Sequence, residues 1–375
     1  MNVDYLALGI AVQAGVPVLI EGLPGIGKTA QIRGIGKSLD CIVEEVIASI
    51  HDPSDFSGLP FVNRDGVKTA HVSYAAPDWA VRLADAGKGI LFLDELSTAA
   101  PAVQAALLRV VLDRWVGSLK LPPTVSIIAA MNPPETGGCF DLTAPMANRF
   151  CHMSWGVNLE EWQLGVVSGF RPAAVPTLLS NWSDYVAERA NLVQTFLGLR
   201  PNLLHVMPTE ENRVGKAWPS PRSWEMAWKL WAAADCAGLS EEVRKAVVSR
   251  LMSGCVGTAA LEFLAWVDAL DLVDPEELLN NPDLLDVTAR GDKVYASLNA
   301  MVYRVLSNNT TERWELGWKV LASVANKGKP DLAAFAAKAL ANTPPPGTKR
   351  LPSEIMVFKD LIAGALNAFG GKSSS

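Results

Sequence analysis

The run Gly22-Leu23-Pro24-Gly25-Ile26-Gly27-Lys28-Thr29 constrains this chain more than any other stretch. It has the form G-x-x-x-x-G-K-[ST], and that form demands a particular backbone. Glycines permit a tight turn whose N–H groups converge on phosphates, a lysine reaches the outer two phosphates, and a hydroxyl ligates a divalent cation. Such a loop belongs between a buried strand and a helix N-terminus, where the positive end of the helix dipole faces the anion. Both flanks comply: Val16-Pro17-Val18-Leu19-Ile20 reads as a short buried strand, and residues 28–39 read as a helix. A nucleoside triphosphate is therefore the expected ligand. Gly22, Pro24, Gly25, Ile26 and Gly27 would shape the cradle, Lys28 would meet the β- and γ-phosphates, and Thr29 would hold Mg2+.

Composition narrows the class. With 49% hydrophobic and 19% charged residues over 375 positions, the chain has enough apolar material for two or three packed domains. A net charge of −6 disfavours nucleic acid as a general partner, although a local basic patch stays open. Cys41, Cys139, Cys151, Cys236 and Cys255 are scattered with no C-x-x-C pair, which points to a reducing compartment and away from zinc. The first residues lack the basic-then-apolar pattern of a signal peptide. No apolar run reaches membrane-span length; residues 259–270 come nearest, and Glu262 and Asp268 interrupt them. A cytoplasmic location is expected, and the hydropathy is high enough to hint at buried subunit interfaces.

Along the first half, residues 6–14 read as a short helix, residues 41–47 as a second strand, and residues 61–70 as a hairpin with Asp65-Gly66 at its tip. After a helix over 78–86, Gly89-Ile90-Leu91-Phe92-Leu93-Asp94-Glu95-Leu96 describes a central parallel strand that delivers two carboxylates at its C-terminal end. Beside a phosphate loop, Asp94 would hold the cation and Glu95 would polarise an attacking water. A helix from Pro101, a hairpin over 115–122 and a buried strand over 124–130 lead to Met131-Asn132-Pro133-Pro134. Asn132 could orient the lytic water or touch the γ-phosphate; an Asn before Pro is equally an ordinary turn pairing. Residues 142–149 read as a helix ending at Asn148-Arg149-Phe150, ahead of a short strand over 151–155.

This ordered set resembles AAA+ ATPases, and among them the MoxR-type branch with a hairpin inserted after the second helix. The resemblance is good over residues 6–155 and looser to about residue 270. It implies an α/β P-loop core with a central parallel sheet, an all-helical lid and, here, a helical C-terminal extension. It makes residues 22–29 the Walker A loop, Asp94 and Glu95 the Walker B pair, and Asn132 the sensor 1 residue. Arg149 falls where these ATPases carry an arginine finger for the neighbouring subunit's nucleotide, so a ring is implied, typically a hexamer. The competing reading of Arg149 is a helix-end arginine that satisfies carbonyls.

The second half is helical and rich in tryptophan, with ten of the twelve Trp beyond residue 150. Ser220 and Pro221 signal a helix start, and Trp224, Trp228 and Trp231 recur at one-face spacing, which reads as core. Arg222 in the first turn matches the sensor 2 arginine of the AAA+ lid; taken alone it is an ordinary surface arginine. The expected organisation is residues 1–157 as the nucleotide-binding domain, 158–271 as connection and lid, and 272–375 as a helical extension with a flexible tail.

The function this implies is Mg2+-dependent hydrolysis of ATP that remodels or matures a protein client. MoxR-like proteins often work with a von Willebrand A-domain partner, which here would be a separate chain. The alternative is a nucleic-acid-translocating or restriction-type motor. Only Arg64, Lys68 and Lys120 stand at the hairpin tips to track phosphates, which weakens that alternative.

Overall fold

The computed structural model describes residues 2–63, 71–133, 140, 142–170, 173–209, 215–270, 272–348 and 351–362. Its organising element is a five-stranded parallel sheet. The strands and helices that build it are α1 (Val3–Gln13), β1 (Val18–Glu21), α2 (Lys28–Ser38) and β2 (Ile42–Ile47). Then follow the one-turn α3 (Ser54–Ser57), β3 (Leu59–Asn63), β4 (His71–Ala75), α4 (Asp78–Ala86) and β5 (Gly89–Asp94). After these come α5 (Pro101–Asp113), β6 (Trp115–Val116), β7 (Leu119–Lys120), β8 (Val125–Met131), α6 (Ala144–Ala147) and β9 (Cys151–Ser154).

The sheet order is β2-β5-β8-β1-β9, with every pairing parallel. β5 and β8 sit inside it, and their sequences say why. Ile90 to Leu93 and all of β8 are buried on both faces, as a run without alternation requires. Parallel register brings the C-terminal ends of the strands to one edge: Glu21 lies opposite Met131, and Ile47 opposite Asp94. The loops that follow these ends therefore share one rim, where ligands of such sheets bind.

Two small antiparallel ribbons stand apart from the sheet, β3 with β4 and β6 with β7. The second answers to the hairpin read over 115–122, whereas the first is longer than the hairpin read over 61–70, its strands being Leu59–Asn63 and His71–Ala75. Arg64, Asp65, Gly66 and Lys68, the expected tip of the first, lie outside the described residues. Its stem is unusually apolar for a surface ribbon: Leu59, Phe61, Val62, Val72 and Tyr74 are all exposed.

Packing groups the chain into two units, Met1–Ser183 with Asn202–Leu261, and Asp184–Pro201 with Glu262–Ser375. The segment 158–271, expected as connection and lid, thus contributes to both. Within the first unit, α7 (Leu159–Ser168) buries none of its residues, leaving Leu159, Trp162, Leu164 and Val167 exposed.

The second unit takes α8 (Val186–Leu199) from the earlier part of the chain. Beyond it the first unit contributes α9 (Pro221–Asp235) and α10 (Glu241–Val256), both packed on α1. α9 begins at Ser220, whose hydroxyl accepts from the Ser223 N–H while Ser223 Oγ accepts from the Ser220 N–H. Such a reciprocal cap contributes about 1 kcal/mol. Trp224 and Trp231 are buried as the one-face spacing required, and Trp228 is half-buried.

Past α11 (Ala259–Asp268), the second unit is built from α12 (Pro275–Asn280), α13 (Gly291–Ser307), α14 (Thr311–Asn326) and α15 (Pro330–Asn342). Its core centres on Trp314 and Trp318, edge to face at 5.9 Å, and the Trp314 indole donates to the Leu340 carbonyl. Near the end of the helical extension expected over 272–375, Ser353–Phe358 forms a tight 3-10 stretch, and the described residues end at 362. Among the described residues, no helix is long and apolar enough to cross a membrane.

One local expectation changes. The helix read over 142–149 is a single turn, Ala144–Ala147. Pro145 suits only a first turn, and the Asn148 side chain is engaged elsewhere, so propagation stops there.

Candidate functional site

The rim is assembled from the ends of β1, β2, β5 and β8. After Glu21 the chain must turn sharply, and Gly22 is where side chains are excluded. A Cβ there would stand 2.7 Å from the Trp155 carbonyl oxygen. Gly25 and Gly27 carry φ of +80° and +85°, left-handed values that cost other residues, while a Cβ on either would meet nothing within 4 Å. The turn is thus uncrowded at Gly25 and Gly27.

Gly27 is the N-cap of α2, yet no side chain caps that helix and its first turn holds no acid. Its leading N–H groups and dipole are left for an external anion.

Lys28 ends in this turn. Its ammonium donates to the Gly22 carbonyl at 2.5 Å, to the Leu23 carbonyl at 3.3 Å and to Asn132 Oδ1 at 3.0 Å. Burial pulls it below the usual lysine range, and the charges of Asp94 and Glu95 pull it partly back. Thr29 Oγ1 donates to Asp94 Oδ2 at 3.4 Å. Burial pushes the Asp94 carboxyl above its usual range, against the opposing pull of the Glu95 N–H and Lys28. A hydroxyl and a carboxylate oxygen this close are hard donors of the kind Mg2+ takes, so the residues fit that cation.

Glu95 adopts φ 57° and ψ 39°, a left-handed backbone at a non-glycine position. The conformation costs of order 1 kcal/mol and is held by the Thr98 N–H and hydroxyl, both donating to the Glu95 carbonyl. It turns the Glu95 side chain outward from the strand, exposed, where Ser49 Oγ donates to Glu95 Oε2 at 2.9 Å. Ser49 comes just after β2, the neighbour of β5, and nothing in its local sequence marks it.

Five residues expected from sequence thus converge at one rim: Lys28, Thr29, Asp94, Glu95 and Asn132. Arg149 and Arg222 form a second group. The positive charge of Arg222 reaches Arg149 and, after burial, is the next cause lowering the Arg149 pKa; Asp113 opposes both. One Arg149 nitrogen donates to the Pro145 carbonyl, the helix-end role weighed above, while its Nε is buried without a hydrogen-bond partner among the described residues.

The two arginines are brought together by a buried polar knot. Asn148 Nδ2 donates to the Trp218 carbonyl at 3.0 Å, and Ser220 Oγ donates to Asn148 Oδ1 at 2.6 Å. Ser223 Oγ donates to the same Trp218 carbonyl at 2.8 Å. Just upstream, Lys216 Nζ bridges both Glu21 oxygens, at 2.7 and 2.6 Å, one residue ahead of the glycine turn. Sequence reading passed over Glu21, Asn148 and Lys216, whose partners are remote in the chain.

Comparison with known proteins finds relatives over the same part of the chain. Residues 17–152 match the family model of the ATPase family associated with various cellular activities (AAA). Protein MoxR of Methylorubrum extorquens is 29% identical over 150 residues, 38% of this chain and 41% of that protein. The uncharacterised protein YeaC of Bacillus subtilis is 28% identical over 138 residues, 36% of this chain and 40% of its own length. The chain therefore matches about two fifths of each relative. Among solved structures, an MCM homologue from Methanopyrus kandleri superposes with a TM-score of 0.38 at 18% identity, covering 67% of this chain and 55% of that one. So weak a superposition adds nothing to the fold, which rests on the sheet order itself.

Proposed function

We propose, because residues 17–152 match the AAA ATPase family model and resemble protein MoxR, that the protein hydrolyses ATP and uses the cycle to remodel a protein client within an oligomeric ring. The observation that carries the reading is the pairing of Lys28 with Asn132 and of the next residue, Thr29, with Asp94, two hydrogen bonds that tie the start of α2 to the ends of β8 and β5.

The glycine turn and the uncapped start of α2 bind the phosphates, and Lys28 exchanges its contacts with loop carbonyls for phosphate oxygens. Thr29 and Asp94 are the residues that would hold Mg2+, which supplies charge neutralisation on the phosphates. Glu95 takes the proton of the attacking water, and Asn132 aligns that water against the γ-phosphate. Arg149 stabilises the charge developing on the nucleotide of the adjacent protomer, and Arg222, on the same part of the surface, acts with it.

Ring formation is supported by the exposed apolar residues of α7. The apolar stem of the β3–β4 ribbon suits contact with polypeptide better than with phosphates. A hexamer, a cytoplasmic setting and a separate von Willebrand A-domain partner complete the proposal by analogy with MoxR-like proteins. The test is to measure Mg2+-dependent ATP turnover of the purified chain beside Glu95→Gln, and to identify what co-purifies with that variant. Turnover equal in both, or nucleic acid as the retained material, would overturn the reading.

A further inference from the structure

Residues 215–220 touch both halves of the site described above. At one end Lys216 closes on Glu21, the last residue of β1 before the glycine turn. At the other end the Trp218 carbonyl and the Ser220 hydroxyl hold Asn148, whose neighbour is Arg149. Between these ends lie only a few residues, and the second end is buried: Trp218 is 9% exposed, Ser220 4% and Asn148 4%. Apart from the Trp218 indole Nε1, which is buried without a hydrogen-bond partner among the described residues, the Asn148 and Ser220 side chains and the Trp218 carbonyl are joined by hydrogen bonds, so this end is a defined geometry and not a loose contact.

The charges give the first end its meaning. A carboxylate directly before a phosphate-binding turn opposes a polyanion. Glu21 is mostly covered, with its side chain 20% exposed, so water screens it incompletely. Lys216 cancels that charge with a two-oxygen contact. The second end acts on direction: it fixes the one-turn α6 against the start of α9, and thereby fixes where Arg149 and Arg222 stand.

We propose that residues 215–220 are a splint that positions both halves of the ATP site, with Lys216 neutralising Glu21 so that the glycine turn accepts a triphosphate, and Ser220 with Asn148 aiming Arg149. Lys216 and Asn148 are positioning residues, since neither touches the reacting atoms. The inference rests on the ATPase reading, and the two ends make different errors when cut.

Lys216→Met leaves Glu21 charged and unpaired. It should weaken Mg2+–ATP binding about tenfold at low salt, with kcat nearly unchanged, and the defect should shrink toward wild type in about 0.5 M salt. Adding Glu21→Gln to Lys216→Met should restore affinity without restoring the ion pair, an outcome that a purely structural role for Lys216 does not give. Asn148→Ala should do the reverse, lowering kcat at least tenfold while ATP affinity holds. Asn148→Ala and Ser220→Ala together should lose no more than Asn148→Ala alone. Thermal melts identify any variant that fails to fold, and Glu21→Gln alone, which removes no packing, then carries the test by retaining full affinity.

ATP affinity within twofold of wild type in Lys216→Met, or no rescue by Glu21→Gln, overturns the proposal at its first end. An Asn148→Ala loss that appears in affinity instead of kcat overturns it at the second. Lys28→Ala serves as the control for the underlying reading: if it binds ATP normally, the phosphate-loop assignment fails, whatever the splint does.

Discussion

Asn132 Oδ1 accepts a hydrogen bond from Lys28 Nζ at 3.0 Å, joining the end of β8 to the start of α2 across 104 residues of sequence. The pair makes the lysine proposed to bind phosphate and the polar amide parts of one device. Lys28→Ala should abolish measurable ATP binding in a fluorescent-nucleotide titration. Asn132→Ala should keep affinity within a few-fold and lower kcat by roughly 10- to 100-fold, as expected of a group that orients the water. Equal losses of affinity in both variants would remove the water-orienting role.

Glu95→Gln should bind ATP normally and hydrolyse it at least about 100-fold more slowly, since a neutral amide cannot take the proton. Single-turnover assays read this directly. Unchanged turnover would dismiss Glu95 as the base.

Ser49 restrains the same carboxylate with one hydrogen bond to a charged acceptor. Its removal by Ser49→Ala frees Glu95, so basal turnover should stay level or rise, by up to about tenfold. A tenfold fall would instead make Ser49 part of the productive geometry.

Arg149→Ala should lower kcat by about 10³-fold if the guanidinium meets a neighbour's nucleotide. Mixing it with Lys28→Ala should restore part of the activity, because some interfaces then combine an intact loop with an intact arginine. Absence of recovery at every mixing ratio would argue for action within one protomer.

His152 on β9 is partly buried, and that burial lowers its pKa to about 4, while Nε2 rests on the Ala147 carbonyl at 2.8 Å and the charges of Lys216 and Glu21 act in opposite senses. The unfolded chain binds a proton near pH 6.5 that the folded chain refuses until about pH 4. Stability should therefore be complete above pH 6.5 and decline as pH falls toward 4, by about 3 kcal/mol in all from this group. Urea unfolding at pH 7.5 and pH 5 should show the loss in wild type and a smaller one in His152→Gln. Equal losses would assign the acid sensitivity elsewhere.

The parts legible in sequence were those whose signal is local. Four consecutive apolar residues, Ile90 to Leu93, followed by Asp94-Glu95 read as a doubly covered strand with acids at its end, and the glycine turn names its own flanks. The single turn at α6 was overestimated because Ala144, Met146 and Ala147 favour a helix, while what stops it, the hold on Asn148, comes from residue 218. Ser49, Lys216 and Glu21 gave no pattern because each matters only through a partner set by the sheet order or by the path of residues 215–220. Likewise, α8 packs with the chain beyond residue 262, a choice made by its apolar face meeting α13 and not by anything near it in sequence.

The neighbourhood of Arg149 and Arg222 has a thermodynamic corollary. Two guanidinium groups held within reach of one another, one with a buried N–H left over, form a spot whose energy drops when a polyanion docks there. If that polyanion is the triphosphate on the next protomer, nucleotide occupancy and subunit association must strengthen each other by the same factor. The assembly would then loosen whenever its fuel is spent, and dilution of the protein should weaken its grip on ATP.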